Sequence, residues 1–227
     1  MSGSLPPSRY DDHATWYTEF RPSLPPDERD VIERHLGRGD GSCLDLGCGA
    51  GAAIPALSQL GWHVCGIDRS AAMLAVAASA GAELHHASAE SMPFADATFD
   101  ACVSFWTHTD VDDFAAVIDE AFRVLKPGSP LVYIGAHPCF VGPHWELAGP
   151  EGVPLLHPGY GDTERYFTGP AVTPDGLRRR VGANHLPLAQ FISAFLHAGF
   201  EIGGLEEHGW RQQFPHKLAI ACRKPPT

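Results

Sequence analysis

Residues 43–53, CLDLGCGAGAA, constrain the fold more than any other stretch of this chain. The short apolar run SCLDL ends in glycines at alternate positions, Gly47, Gly49 and Gly51, and the apolar pattern GAAIPALSQLG follows at once. Glycine turns a backbone tightly at little steric cost, so the stretch predicts a strand that turns directly into a helix. The same rhythm recurs downstream. WHVCGID, AELHHA, FDACVSFW and SPLVYIGA read as strands, and SAAMLAVAASAG, VDDFAAVIDEAFRVL and LPLAQFISAFLHAGF as helices. Ser70 is the natural N-cap of the first of these helices, Asp110 or Asp112 is expected to cap the second, and Gly199 closes the third. Strands separated by single helices require right-handed crossovers, hence a parallel sheet covered on both faces. EIGGLEEHG and HKLAIACRK follow one another with no helix between, so they pair antiparallel. The expected fold is α/β: a Rossmann-like, doubly wound, seven-stranded sheet, mostly parallel with an antiparallel last strand.

A chain of 227 residues suits one domain. Residues 1–40 are expected to form N-terminal cap helices. The first eight are Pro/Ser-rich and frayed, YDDHATWYTEF places Tyr10, Ala14, Tyr17 and Phe20 on one side of a short helix, and an amphipathic helix from Pro26 ends at Gly37. Residues 41–136 form the cofactor core, and 187–227 a helix followed by the strand pair. Between them, residues 137–186 are dense in Gly, Pro, His and aromatics and too long for an ordinary connection. This insertion follows strand five, at the edge where such sheets bind ligands, and is expected to be a lid-like substrate cap; a structural or dimer-forming element is the alternative.

The chain carries 16 Lys+Arg against 27 Asp+Glu, a net charge of -11. That balance disfavours nucleic acid and anionic membrane surfaces as partners. The six cysteines, Cys43, Cys48, Cys65, Cys102, Cys139 and Cys222, form no C-x-x-C pair and are expected to be reduced, mostly buried thiols. No window approaches a membrane span and the N-terminus has no apolar signal core. A cytoplasmic protein, monomer or homodimer, is the expectation.

Two cofactors compete for the glycine turn. Gly47-Cys48-Gly49-Ala50-Gly51-Ala52 satisfies the loose dinucleotide pattern G-x-G-x-x-G/A, and Asp68 follows where a ribose-binding acid belongs. Asp45, two residues before Gly47, argues against it, because a carboxylate there would face a pyrophosphate of like charge. S-adenosylmethionine (SAM) carries an ammonium and a sulfonium instead, to which Asp45 is complementary. Asp68 serves either cofactor, since two ribose hydroxyls can donate to one carboxylate.

LDLGCGAG, GIDRSAAML, AESMPFADATFD and EAFRVLKPGSPLVY, in this order, resemble the class I SAM-dependent methyltransferases, near the ubiquinone/menaquinone-biosynthesis type and related small-molecule enzymes. The resemblance runs from about residue 40 to residue 136, with a weaker echo in FISAFLHAGF. It implies that Asp45, Gly47, Cys48, Gly49 and Gly51 cradle the methionine part of SAM, and that Asp68, with Arg69 beside it, holds the ribose. Met73 would lie on the adenine face, and Ser88, Ala89 and Glu90 would meet the adenine. Ser104 and Phe105 would line the path to the sulfonium, and Tyr17 would face the cofactor or pack onto the sheet. Two positions depart from the family pattern: Ser88 replaces an acid, and Ser129 a glycine.

Methyl transfer from a sulfonium is an in-line displacement, for which a protein supplies proximity, alignment and a dry site. A base is required only when the acceptor must lose a proton. Of the 13 histidines, His137 and His144 are the foremost candidates for that base, with His108 behind them. His157 and His185 lie further along the insertion, and His63, His85, His86 and His197 read as ordinary strand or helix residues. His108, Asp110, Asp112 and Asp113 could gather round a metal, but helix capping explains the acids and no metal is expected. Arg178, Arg179 and Arg180 read as a solvated turn or as a contact for an acidic substrate group. The expected function is SAM-dependent methylation of an oxygen, nitrogen or carbon of a small molecule, in specialised metabolism. An NAD(P)-dependent oxidoreductase and a SAM-binding protein without methyl transfer are the alternatives.

Overall fold

A computed structural model describes residues 5–149, 152–170, 172–211 and 213–226. Its helices are α1 (Ala14–Phe20), α2 (Pro26–His35), α3 (Ile54–Gln59), α4 (Ala71–Ala77), α5 (Phe114–Val124), α6 (Leu177–Val181) and α7 (Leu188–Ala198). The strands are β1 (Ser42–Leu46), β2 (His63–Asp68), β3 (Glu83–His86), β4 (Ala101–Phe105), β5 (Pro130–Ala136), β6 (Trp145–Ala148), β7 (Val153–Leu156), β8 (Glu201–Arg211) and β9 (Phe214–Arg223). Seven of them form one sheet in the order β3-β2-β1-β4-β5-β9-β8, while β6 and β7 make a separate hairpin inside the insertion. β1 to β5 run parallel, and β9 is antiparallel to both its neighbours, β5 and β8. The seven-stranded, mostly parallel α/β sheet with its antiparallel last strand is therefore present. The order reverses at β1, the start of both halves, and in such sheets ligands bind at that switch point.

Alternation along β1 shows how the sheet is buried on both sides. Leu44 and Leu46 enter a core that includes Phe99, Phe114, Ile118, Tyr133, Phe191 and Phe195, beneath α5 and α7. Cys43 enters the opposite core, with Val31, Ile32, Ile54, Leu57, Val103 and Ile134, beneath α2 and α3. Each large side chain buried in this way stabilises the fold by roughly 1.5–3 kcal/mol relative to exposure. Period-2 geometry puts Asp45 on the Cys43 side, where the register places it between Gly66 and Val103.

Local chemistry sets most of the helix ends. Ser70 caps α4, its hydroxyl accepting from Met73 N–H at 3.2 Å, and Gly199 ends α7 at φ +100°. Asp113, rather than Asp110 or Asp112, caps α5, accepting from Ala116 N–H at 3.0 Å. The correction follows from the chain path: Asp110 instead meets Tyr10 and Arg178, and Asp112 meets Arg9. α3 starts only at Ile54, because residues 47–53 are spent on the glycine turn. Five of the six free cysteines are buried, and Cys139 is half-buried. Among the described residues, no helix is long and apolar enough to cross a membrane.

Candidate functional site

The turn after β1 is built as its glycines suggest. Gly47 and Gly51 have φ of +74° and +80°, where side chains are disfavoured. A Cβ on Gly51 would also press within 3.0 Å of Ile54 and 3.2 Å of Ala77, so the glycine lets α3 and α4 approach. Gly47 and Cys48 both donate their N–H to Ile67 O, at 2.9 and 3.0 Å, which ties the turn to β2. Asp68, at the end of β2, accepts from Gly49 N–H at 2.9 Å and from Ser70 N–H at 2.8 Å. Two carboxylate oxygens offer about four acceptor positions, so Asp68 keeps capacity for further donors.

Beside this turn lies a cavity of about 360 Å³. Ten of the expected cofactor residues line it: Tyr17, Gly47, Gly49, Asp68, Arg69, Met73, Ser88, Ala89, Glu90 and Phe105. Cys48, Gly51, Ser104 and Asp45 do not. The Cys48 thiol points back at β2, so close that a Cβ on Gly66 would lie 2.8 Å from its sulfur. Gly51 is engaged in helix packing, and Ser104 donates its hydroxyl to Leu46 O at 3.0 Å, stitching β4 to β1.

Asp45 is a different case. It is 1% exposed, and among the described residues neither side-chain oxygen has a hydrogen-bond partner. Burial, together with the nearby Asp68 charge, pushes its carboxyl up to about 7, while Arg21 pulls it back. Arg21 itself is committed to the buried carboxylate of Glu28. A buried carboxylate without a partner is costly, and a cationic ligand group relieves that cost.

Several lining residues carried no recognisable motif. Pro6, Pro7 and Ser8, which the composition marks as part of a frayed terminus, instead run with Arg9 and Tyr10 across the cavity as a strap. Arg9 pairs with Asp112 at 3.0 Å, and the Tyr10 hydroxyl donates to Asp110 at 3.0 Å. Asp11 accepts from the Ser70 hydroxyl at 2.7 Å, fastening the strap to the start of α4. Tyr10 and Tyr17 meet edge to face, 5.4 Å between centroids. Residues 1–4 lie outside the described residues. Trp106 also lines the cavity and holds φ at +62°, a conformation bulky residues avoid and one that occurs at functional sites. Its indole N–H reaches Glu28 at 3.3 Å, and Glu28 also takes Lys217 at 2.9 Å. These are tertiary arrangements. A run such as PPSRYDD has no local signal for them.

None of the three histidines proposed as bases lines the cavity. His108 is buried against Phe114, Tyr133 and Phe191; the Tyr133 hydroxyl donates to its Nδ1 at 2.6 Å and accepts its backbone N–H at 3.0 Å. Burial lowers its imidazole to about 3, too weak a base for work near neutrality. His137 receives Cys139 N–H on Nδ1 at 3.1 Å and faces Glu207 from Nε2 at 2.9 Å, a structural pairing at the edge of β5. His144 is 2% exposed, bonded through Nε2 to Cys139 O at 3.2 Å and packed 4.7 Å from the His185 ring. Of the insertion's described residues, Arg165 alone reaches the cavity, so the strap, more than the insertion, closes it. Arg178 is not in a solvated turn: it pairs with Asp110 at 3.4 Å and donates to the Thr109 hydroxyl at 3.1 Å. Nor do His108, Asp110, Asp112 and Asp113 assemble as ligands; among the described residues, the metal-compatible trio is Cys65, Glu83 and His85, with ligand atoms within 4.8 Å, and none of the three lines the cavity.

Residues 44–133, from β1 through β5, match the family model of a methyltransferase domain. Over these residues the core of this chain is similar to a methyltransferase domain. Its fold is shared with an S-adenosylmethionine-dependent methyltransferase from Mesorhizobium loti, at TM-score 0.69 and 24% identity over 93% of this chain and 99% of that one. The [4+2]-cyclase SpnF also shares it, at TM-score 0.68 and 18% identity over the whole of both chains. In sequence, this chain is 34% identical over 137 residues to a ubiquinone/menaquinone biosynthesis C-methyltransferase of Desulfotalea psychrophila, covering 56% of each protein. It is 36% identical over 122 residues to a demethylmenaquinone methyltransferase of Clavibacter sepedonicus, covering 52% of this chain and 45% of the relative. The chain thus spans about half the length of the curated relatives it matches.

Proposed function

We propose that this protein binds SAM in the strap-covered cavity and transfers its methyl group to a small-molecule acceptor. The observation that carries the reading is Asp45, a buried carboxylate with two unpartnered oxygens beside a glycine turn. The ammonium of SAM is the complementary cation, whereas a dinucleotide pyrophosphate would add a second negative charge. In this reading Asp68 accepts the ribose hydroxyls, Met73 lies against the adenine, and Ser88, Ala89 and Glu90 border it; their shared place in the cavity lining supports it. When bound, SAM supplies a methyl group activated by its sulfonium sulfur.

The chain's own contribution is enclosure and alignment. Tyr10, Tyr17, Phe105 and Trp106 line the cavity with aromatic surface, and the strap excludes water. No described lining residue is a histidine. This supports acceptors whose nucleophile needs no strong base, such as an activated carbon, an already ionised oxygen or a neutral nitrogen. The quinone-biosynthesis relatives support a small molecule as acceptor, and a place in specialised metabolism fits a divergent insertion. We assign the insertion to the acceptor side as a partial cap, through Arg165.

S-adenosylhomocysteine (SAH) should bind with micromolar affinity while NADH does not; the reverse pattern ends this reading. The shared fold of a [4+2]-cyclase shows that the architecture hosts chemistry other than methyl transfer. Mass spectrometry of candidate acceptors after incubation with SAM separates the two, because a gain of one methyl requires transfer.

A further inference from the structure

Three arginines stand at the rim of the cavity. Arg9 comes from the strap, Arg69 from the turn after β2 and Arg165 from the insertion, and all three line the cavity. Their guanidiniums converge on a single carboxylate, Asp112, at 3.0, 3.8 and 3.7 Å. The other acids lining the cavity, Asp68, Glu90 and Asp110, face different donors. Asp110 serves Tyr10 and Arg178, and Glu90 accepts the backbone N–H groups of Asp112 and Asp113 at 3.0 Å each.

Two donors in this group are left over. The Nε atoms of Arg69 and Arg165 are buried and have no hydrogen-bond partner among the described residues. Arg165 spends its other nitrogens on Asp110 O at 2.9 Å and Val181 O at 3.3 Å. Burial, followed by the Arg9 charge, depresses its basicity, while Asp110 and Asp112 raise it. Guanidinium forks match carboxylate and phosphate oxygens in geometry and charge.

We propose that this rim is an anion subsite, in which Arg9, Arg69 and Arg165 hold a carboxylate or phosphate group carried by the methyl acceptor. The proposal rests on the reading of the cavity as a SAM site and names the acceptor's class: a small molecule with an oxyanion away from the atom that is methylated. Asp112 holds the three arginines together until that oxyanion arrives.

The test titrates inorganic phosphate into the full chain saturated with SAH, by calorimetry. Phosphate should bind, and Arg165→Met and Arg9→Gln should each weaken it by about fivefold or more. Asp112→Asn should move the other way and tighten phosphate, a gain that misfolding cannot imitate. Absence of phosphate binding, or affinity unchanged in all three variants, overturns the subsite. A parallel titration replaces SAH by 5′-methylthioadenosine, which lacks the amino-acid arm. If phosphate binds that complex but is displaced by SAH, the arginines serve the cofactor's own carboxylate and the acceptor assignment falls. Failure of SAH itself to bind is a separate result, and it removes the proposed function together with this assignment.

Discussion

At the end of β1, Asp45 keeps two buried oxygens without partners, whereas beyond β5 the histidines are already occupied. His137 has Glu207, His157 has Glu146 at 2.9 Å and His185 has Tyr160 O at 2.9 Å. His144 is the partial exception, bonded on one nitrogen and unpartnered on the other. Both regions sit at the ligand edge of one sheet and both are rich in groups that can do chemistry. The difference between them is satisfaction. A side chain whose hydrogen bonds close within the protein stabilises the fold, while one left open at a cost is available to a ligand.

Replacing the open group should have the largest effect. Asp45→Asn should weaken SAH binding by about 100-fold, the scale of losing one buried charge pair, measured by calorimetry. The same change should stabilise the ligand-free protein at pH 8 by up to about 4 kcal/mol in urea denaturation, since it removes an uncompensated charge. Loss of SAH binding without that gain would mean that Asp45 is structural.

On the opposite side of the comparison, Tyr133→Phe leaves the buried His108 Nδ1 without its donor. It should cost about 1–3 kcal/mol of stability with SAH affinity unchanged, read by paired denaturation and calorimetry. A loss of affinity instead would join the two regions into one site.

The pH dependence sharpens the contrast further. The folded carboxyl of Asp45 is raised to about 7 from the ordinary value of 3.8, so between these values the folded chain holds a proton that the unfolded chain has lost. Its contribution to stability is therefore fully present below about pH 4 and lost as pH rises toward 7. Cofactor affinity runs the other way. SAH should bind about tenfold more weakly at pH 6 than at pH 8, releasing a proton at the lower pH, because only the carboxylate pairs with an ammonium. Asp45→Asn should flatten both profiles.

The smallest effects should come from the insertion. His137→Gln and His144→Gln should each leave turnover within about threefold of the parent, measured on an acceptor found by mass spectrometry. A large fall in turnover with SAH affinity intact would restore a base on that side and break the comparison.

What could be read ahead of the structure follows a physical line. β1 begins and ends where the apolar run SCLDL does, and α4 starts at the serine expected to cap it, because strands and caps are written in neighbouring residues. The glycine turn and Asp68 were visible for the same reason. The cap of α5 was missed by one to three residues, since Asp110, Asp112 and Asp113 are chemically alike and distant partners, Tyr10, Arg178 and Arg9, divide them. The histidines misled because residue type was weighed without knowing which nitrogen was already bonded.

The one-dimensional pattern determined the alternation of strands and helices, the parallel sheet and the glycine-turned edge at β1, all of which rest on contacts a few residues apart. Only the tertiary structure decided which polar groups stayed open. Whether a carboxylate ends up like Asp45, unpartnered, or like Asp113, capping a helix, depends on what the fold brings against it from far along the chain. The Pro-rich start shows this best: Arg9 finds its acid at Asp112, 103 residues away, and with Tyr10 on Asp110 and Asp11 on Ser70 this pairing lays the strap over the cavity.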